Sequence, residues 1–157
     1  MSAQEPALTL RPALAADEAF LFALRKATMT EQLTRVGEPA DDDTHRSRLL
    51  HRYDTARVIC LDGVPAGLLK AHRTDSEWVI VQFQVTPALQ GRGIGESVLH
   101  TVLRAAQADA LPVTLKVLKG NPAKRLYDRL GFEIVDEDEI QFYMRRVPRA
   151  SAEIEAE

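Results

Sequence analysis

The run Gln90-Gly91-Arg92-Gly93-Ile94-Gly95 lies between an extended apolar segment and an amphipathic one. Glycines at alternate positions remove the Cβ atoms that keep a ligand away from main-chain amides, and a helix that follows presents N–H groups with no intrahelical partner. A helix N-terminus also carries about half a positive charge, so the combination suits a pyrophosphate held largely by backbone. The plainer alternative is a glycine-rich turn that only starts a helix; it accounts for one glycine more readily than for three.

Two common phosphate loops can be tested against these letters. A nucleotide triphosphatase loop needs a lysine that reaches the terminal phosphates, and the run has none. A dinucleotide fingerprint needs a third glycine where Glu96 stands, and an acid on the next strand, where Val113–Leu118 carries Lys116 instead. A nucleotide-binding oxidoreductase is therefore disfavoured.

A second segment, Asn121-Pro122-Ala123-Lys124-Arg125-Leu126-Tyr127-Asp128-Arg129-Leu130-Gly131-Phe132, follows the loop and one further strand. Read as Q-x-x-G-x-G, the loop resembles the acetyl-coenzyme A signature of the GNAT superfamily of N-acetyltransferases, and the second segment is similar to that family's N-x-x-A-x-x-L-Y-x-x-x-G-F element. The resemblance extends from Leu8 to Val147 and is specific from Trp78 to Phe132. It implies an α/β (α+β) GNAT-like fold, a mixed, mostly antiparallel sheet of about six to seven strands flanked by about four helices. It also implies acetyl-coenzyme A as cosubstrate, a primary amine of unknown identity as acceptor, and direct transfer in a ternary complex.

Site residues carried over by the resemblance are Gln90, Gly91, Arg92, Gly93, Ile94, Gly95 and Glu96 for the pyrophosphate. Phe83 and Val85 are expected beside the pantetheine arm, with the Val85 N–H as the oxyanion donor; Asn121, Lys124 and Tyr127 complete the coenzyme contacts, and Tyr127, Asn121 and Glu77 are the candidate catalytic residues. Arg92, Lys119, Lys124 and Arg125 are cations available to the nucleotide phosphates. In the family a tyrosine at the place of Tyr127 has its hydroxyl near the coenzyme's sulfur. A phenol of pKa about 10 can hydrogen-bond, or protonate, a departing thiolate of pKa about 8.5. Taken alone, Tyr127 falls on a stripe with Ala123, Leu126 and Leu130 and reads as core, while Asn121 and Pro122 read as a helix cap.

The amine must also lose a proton. Histone-type members carry a glutamate at the position of Val79, and ribosomal-protein N-terminal acetyltransferases one at the position of Lys116; both are missing here. A lysine-like amine is neutral to roughly one part in a thousand near pH 7.4, an α-amine to about one in five, so a weakly basic acceptor needs little help. Glu77, His72 and Glu31 could act directly or through water, each with a solvated surface position as the alternative; Gln82 and Gln84 are candidates for lining the acceptor site. Acidic Asp41-Asp42-Asp43 and Asp136-Glu137-Asp138-Glu139 could attract a cation or simply be solvated loops.

The elements that must position these residues follow from periodicity. Leu8–Arg11 reads as a strand and Ala16–Met29 as a helix entered through Pro12, with Phe20, Leu21, Leu24 and Ala27 on one side. A short helix is expected over Thr44–Arg52. Arg57–Leu61 and Val64–Arg73 form strands joined at Asp62-Gly63, a type I′ pair, and Trp78–Val85 is a third strand. Ile94, Val98, Val102 and Ala106, widened by Leu99 and Leu103, mark the helix after the loop. Val113–Leu118, reached by a right-handed crossover, is parallel to Trp78–Val85. The last two strands are Phe132–Val135 and Ile140–Val147.

At 157 residues, 45% hydrophobic, the chain suits one domain over residues 1–147, with a flexible acidic tail over 148–157. A single cysteine, Cys60, inside an apolar run excludes a disulfide framework and reads as a core thiol; no metal site is expected. A net charge of −3 argues against nucleic-acid binding. No apolar run reaches the roughly 18 residues of a membrane span and Met1–Leu10 lacks a signal-peptide pattern, so a cytoplasmic protein, monomer or homodimer, is the expectation. A non-catalytic acyl-coenzyme A sensor or interaction module is the competing class; retention of Tyr127 argues for the enzyme.

Overall fold

The structure, a computed structural model, describes residues 7–149. Its strands are β1 (Leu8–Pro12), β2 (Ala56–Leu61), β3 (Val64–Arg73), β4 (Trp78–Val85), β5 (Val113–Leu118), β6 (Glu133–Glu137) and β7 (Gln141–Arg146). The α-helices are α1 (Glu18–Arg35), α2 (Asp42–Leu50), α3 (Ile94–Asp109) and α4 (Ala123–Arg129). Hydrogen-bonded neighbours run β1-β2-β3-β4-β5-β7-β6. The β1/β2, β2/β3, β5/β7 and β6/β7 pairs are antiparallel and β4/β5 is parallel, the mixed arrangement expected.

The chain clusters into two compact units, and the boundary falls within β3, β4 and α3. One takes in the chain up to Lys70 together with Gln82–Gly95. Its core gathers Leu21 and Leu24 of α1, Leu49 of α2, Ala56, Val58 and Cys60 of β2, and Leu68 of β3, with Phe20, Phe22 and Tyr53 packed at the margin. Burying each large aliphatic side chain contributes about 1.5–3 kcal/mol, which explains why an apolar stripe suffices to seat α1.

Two helix boundaries differ from the sequence expectation. Pro12 ends β1, and the chain enters α1 through a 3₁₀ turn at Ala15–Asp17, where the Asp17 carboxylate accepts from Leu14 N (2.7 Å) and from both terminal nitrogens of Arg11 (2.8 and 2.9 Å). The helix continues to Arg35 and stops before Gly37, whose φ of +79° leaves helical space. In α2 the acidic run, expected ahead of the helix, begins it. Asp41 accepts from Thr44 N (3.3 Å) and Thr44 Oγ1 (2.5 Å), so it caps the N-terminus, with Asp42 and Asp43 in the first turn where the dipole favours them. The Asp62-Gly63 hairpin has positive φ at both residues, +50° and +80°, as a type I′ turn requires.

The other unit takes in Ala71–Val81 and the chain from Glu96 onward. Val98, Leu99, Val102, Leu103 and Ala106 form the buried stripe of α3. Trp78 Nε1 donates to Asp109 Oδ2 (2.9 Å), which also pairs with Arg73 (3.1 Å), tying the start of β4 to the end of α3. The acidic segment expected as a turn is divided. Asp136 and Glu137 belong to β6, Glu137 pairs with Lys119 (2.8 Å), and Asp138 holds the turn by accepting from Ile140 N and Gln141 N (2.9 Å each). The expected tail falls outside the described residues except at its start, where the Arg149 backbone is bonded twice to the Gln107 side chain (2.8 Å each).

Candidate active site

The glycine loop leaves β4 through a 3₁₀ turn at Pro87–Leu89 and enters α3 at Ile94. Gly91 and Gly93 both have φ of +79°, and a Cβ built on either meets nothing within 4 Å. The backbone there is bent as only glycine tolerates readily, with open space above it. Gln90, Gly91, Arg92 and Gly93 are exposed, Gly95 and Glu96 half-buried, and Ile94 buried. Ile94 therefore anchors the helix start while its neighbours stay accessible. Gln90 uses its side-chain amide on the chain itself: Nε2 donates to Val85 O (3.0 Å), fastening the loop to the end of β4.

The parallel register of β4 with β5 comprises Trp78↔Val113, Val79↔Thr114 and Ile80↔Leu115. Val81–Val85 continue β4 beyond it. In this stretch Phe83 is half-buried and Val85 buried, while Gln84 is 7% exposed with no partner for its Oε1 among the described residues. Gly67 of β3 permits close approach at the same level, since a Cβ there would stand 2.4 Å from Gln84 O and 3.3 Å from Val85 Cα.

Tyr127 sits in α4 at 5% exposure, edge-on to Phe132 (centroids 5.7 Å apart, 63°). Burial raises its hydroxyl well above the ordinary phenol range, and no described residue accepts a hydrogen bond from it. Gly131, at φ +92°, ends the helix and lets Phe132 N return to Tyr127 O (3.0 Å). Asn121 Oδ1 accepts from Ala123 N (2.9 Å), so its side chain caps α4 as elementary capping rules anticipate, one residue ahead of Pro122. Lys124 pairs with Asp128 (2.9 Å) and lies over the Phe142 ring, as Lys119 does while paired with Glu137. Glu96 is shared between Arg129 (3.5 Å) and His100 (3.8 Å). Arg125 is exposed.

Among the candidate bases, Glu31 pairs with Arg35 on the exposed face of α1 (2.8 Å). Glu77 is half-buried in the Thr74–Glu77 turn, whose backbone closes through Thr74 N to Glu77 O (2.8 Å) and Glu77 N to Thr74 Oγ1 (3.1 Å). His72 is half-buried on β3. At the two positions where better-known branches carry glutamate, Val79 is half-buried and Lys116 is exposed over the Tyr143 ring.

Two buried cations escaped the sequence reading. Lys70 is fully buried and donates to the carbonyls of Arg48 (3.1 Å), Leu49 and His51 (2.6 Å), closing the C-terminus of α2; burial lowers its pKa to about 8. Arg25 of α1 is 6% exposed. Spacing held the signal for both: Lys70 follows Leu68 on one face of β3, and Arg25 is one helical turn beyond Leu21 on the apolar stripe. Among the described residues no group of histidine, cysteine or acidic side chains is arranged to hold a metal, and no helix is long and apolar enough to cross a membrane.

The acetyltransferase (GNAT) family matches residues 20–132, which include the glycine loop and the segment ending at Phe132. No curated protein matches the chain in sequence. Among solved structures, PaiA N-acetyltransferase from Thermoplasma acidophilum, in complex with coenzyme A, is 13% identical, with 90% of this chain and 99% of that one covered at a TM-score of 0.71. An acetyltransferase from Thermus thermophilus is 22% identical, with 90% and 97% covered at a TM-score of 0.70. These likenesses establish a common fold, and the family match, extending over most of the chain and both of its motifs, establishes kinship: the chain belongs to the GNAT family of acetyltransferases.

Proposed function

We propose that the protein transfers the acetyl group of acetyl-coenzyme A to a primary amine by direct attack within a ternary complex. The observation that carries this reading is the Gly91/Gly93 pair, both in left-handed conformation under open space, immediately before the N-terminus of α3. Amides at that point can take the pyrophosphate, with Arg92 exposed beside them for the remaining phosphate charge. The coenzyme's pantetheine arm is read as running along Val81–Val85, past Phe83, and the N–H of Val85 as facing the thioester oxygen on which negative charge collects.

Tyr127 is read as the donor to the leaving sulfur, and Asn121 and Lys124 as coenzyme contacts. Because burial raises the phenol, complete proton transfer to a thiolate of pKa about 8.5 is uphill; a hydrogen bond that strengthens as the sulfur gains charge is the better description. Glu77 is read as the candidate base for the amine proton, direct or through water. An α-amine needs that help least. A cytoplasmic setting belongs to the same reading.

The test is a screen of primary amines that follows free thiol release, beside calorimetry with acetyl-coenzyme A. Amine-dependent thiol release is the expected result. Tight coenzyme binding without turnover for any amine would instead support a sensor or interaction module.

A further inference from the structure

Resting on the reading of the chain as an amine acetyltransferase, we propose that Arg25 is a carboxylate-binding residue of the acceptor site. The acceptor is then an amine that also carries a carboxylate, a compound of the amino-acid class. Arg25 is 94% withdrawn from solvent, its buried Nε has no hydrogen-bond partner, and no described acid forms an ion pair with its guanidinium. Its electrostatic surroundings worsen its position: burial and the neighbouring Arg48 both disfavour its charge, bringing its pKa down to about 10, and Arg25 in turn acts on Lys70 and His45. A buried, uncompensated guanidinium is costly, and such a violation of ordinary folding rules is expected where function requires it.

Two glutamines of β4 have the complementary shortage, and one of them is bonded to Arg48, whose charge acts on Arg25. Gln82 Nε2 donates to Arg48 O (3.2 Å), which fixes the orientation of that amide and leaves Gln82 Oε1 buried with no partner. Gln84, two residues on and so on the same face of β4, likewise has a buried Oε1 with no partner. Arg25, Arg48, Gln82 and Gln84 all belong to the unit that also contains the glycine loop. Unused donors on a planar fork suit a carboxylate, through two parallel N–H···O bonds. Unused amide oxygens suit the N–H groups of an amine. A coenzyme phosphate would answer the first shortage and not the second, whereas a molecule carrying both groups answers both.

The experiment compares kcat/KM for amino acids with that for the same compounds as carboxamides, corrected for the fraction of free amine, by thiol release. Wild type should favour the carboxylates by about 10- to 100-fold, the range of a hydrogen bond to a charged group. Arg25→Met should erase that preference, chiefly by raising KM for the carboxylate, while coenzyme affinity holds and Tm is unchanged or higher because an unpaired charge has gone. Arg25→Lys, a point charge without the fork, should retain only part of the preference; should the methionine variant fail to fold, this variant and the wild-type ratio decide. Equal use of carboxamides by wild type, or an unchanged ratio in a folded variant, overturns the carboxylate proposal and leaves the acetyltransferase reading standing. Absence of turnover with every amine overturns both.

Discussion

At the scale of single residues, Tyr127 and His45 show how burial directs chemistry. Tyr127→Phe keeps the ring against Phe132 and removes only the hydroxyl. It should lower kcat about 10²-fold, in the range expected of a positioned proton donor, with stability changed by less than about 1 kcal/mol. Steady-state kinetics at saturating substrates check this; an undiminished kcat would assign Tyr127 to packing alone. His45, fully buried in α2, bonds through Nε2 to Thr30 Oγ1 of α1 (2.9 Å), and burial and nearby cations hold its pKa below the ordinary value. The folded protein thus resists a proton that the unfolded chain accepts. The stability that depends on neutral His45 is complete above about pH 6.5 and declines as pH falls through the lower folded pKa. Urea midpoints measured from pH 8 to pH 5 should fall more steeply for wild type than for His45→Gln; parallel curves would contradict the assignment. Both residues were visible in the chain, but only Tyr127 stood out, because its neighbours form a motif. His45 lay in a polar stretch whose burial comes from packing that no local pattern announces.

At the scale of elements, β4 with the turn and loop after it has the most exacting geometry. Gly67→Ala would place a methyl 2.4 Å from Gln84 O and 3.0 Å from Ile59 Cδ1, so the backbone at Gln84–Val85 has to move. Overpacking of this kind costs about 1–3 kcal/mol. The substitution should lower the urea midpoint accordingly and weaken acetyl-coenzyme A binding, because Val85 O also anchors Gln90. A variant as stable and as avid as wild type would show that the close approach is slack. Elements were legible where one face is apolar throughout. The stripe on α3 and the Asp62-Gly63 hairpin agree with the structure, and β3, β4 and β5 have the limits expected. The α1–α2 region was read less well, since Asp41-Asp42-Asp43 resembles a solvated loop until Thr44 shows that Asp41 is a cap.

At the scale of the whole molecule, the parallel β4/β5 pair followed from the crossover rule, whereas the strand order comes from the structure. Periodicity alone cannot place β7 between β5 and β6. The bend between β4 and α3 was legible because glycine placement is a backbone property written directly in the letters. Arg25 and the unpaired Gln84 carbonyl were hidden, because both depend on what surrounds a side chain in three dimensions. The central claim is that main-chain amides from Gly91 to Glu96 hold the coenzyme's pyrophosphate. An amide-resolved NMR titration of the full chain with acetyl-coenzyme A tests it most directly. The largest shifts should fall on Gly91–Glu96, and Gly93→Val should abolish them while the rest of the spectrum stays folded. Saturable binding with those amides unmoved, or undiminished affinity in the Gly93→Val protein, would contradict it.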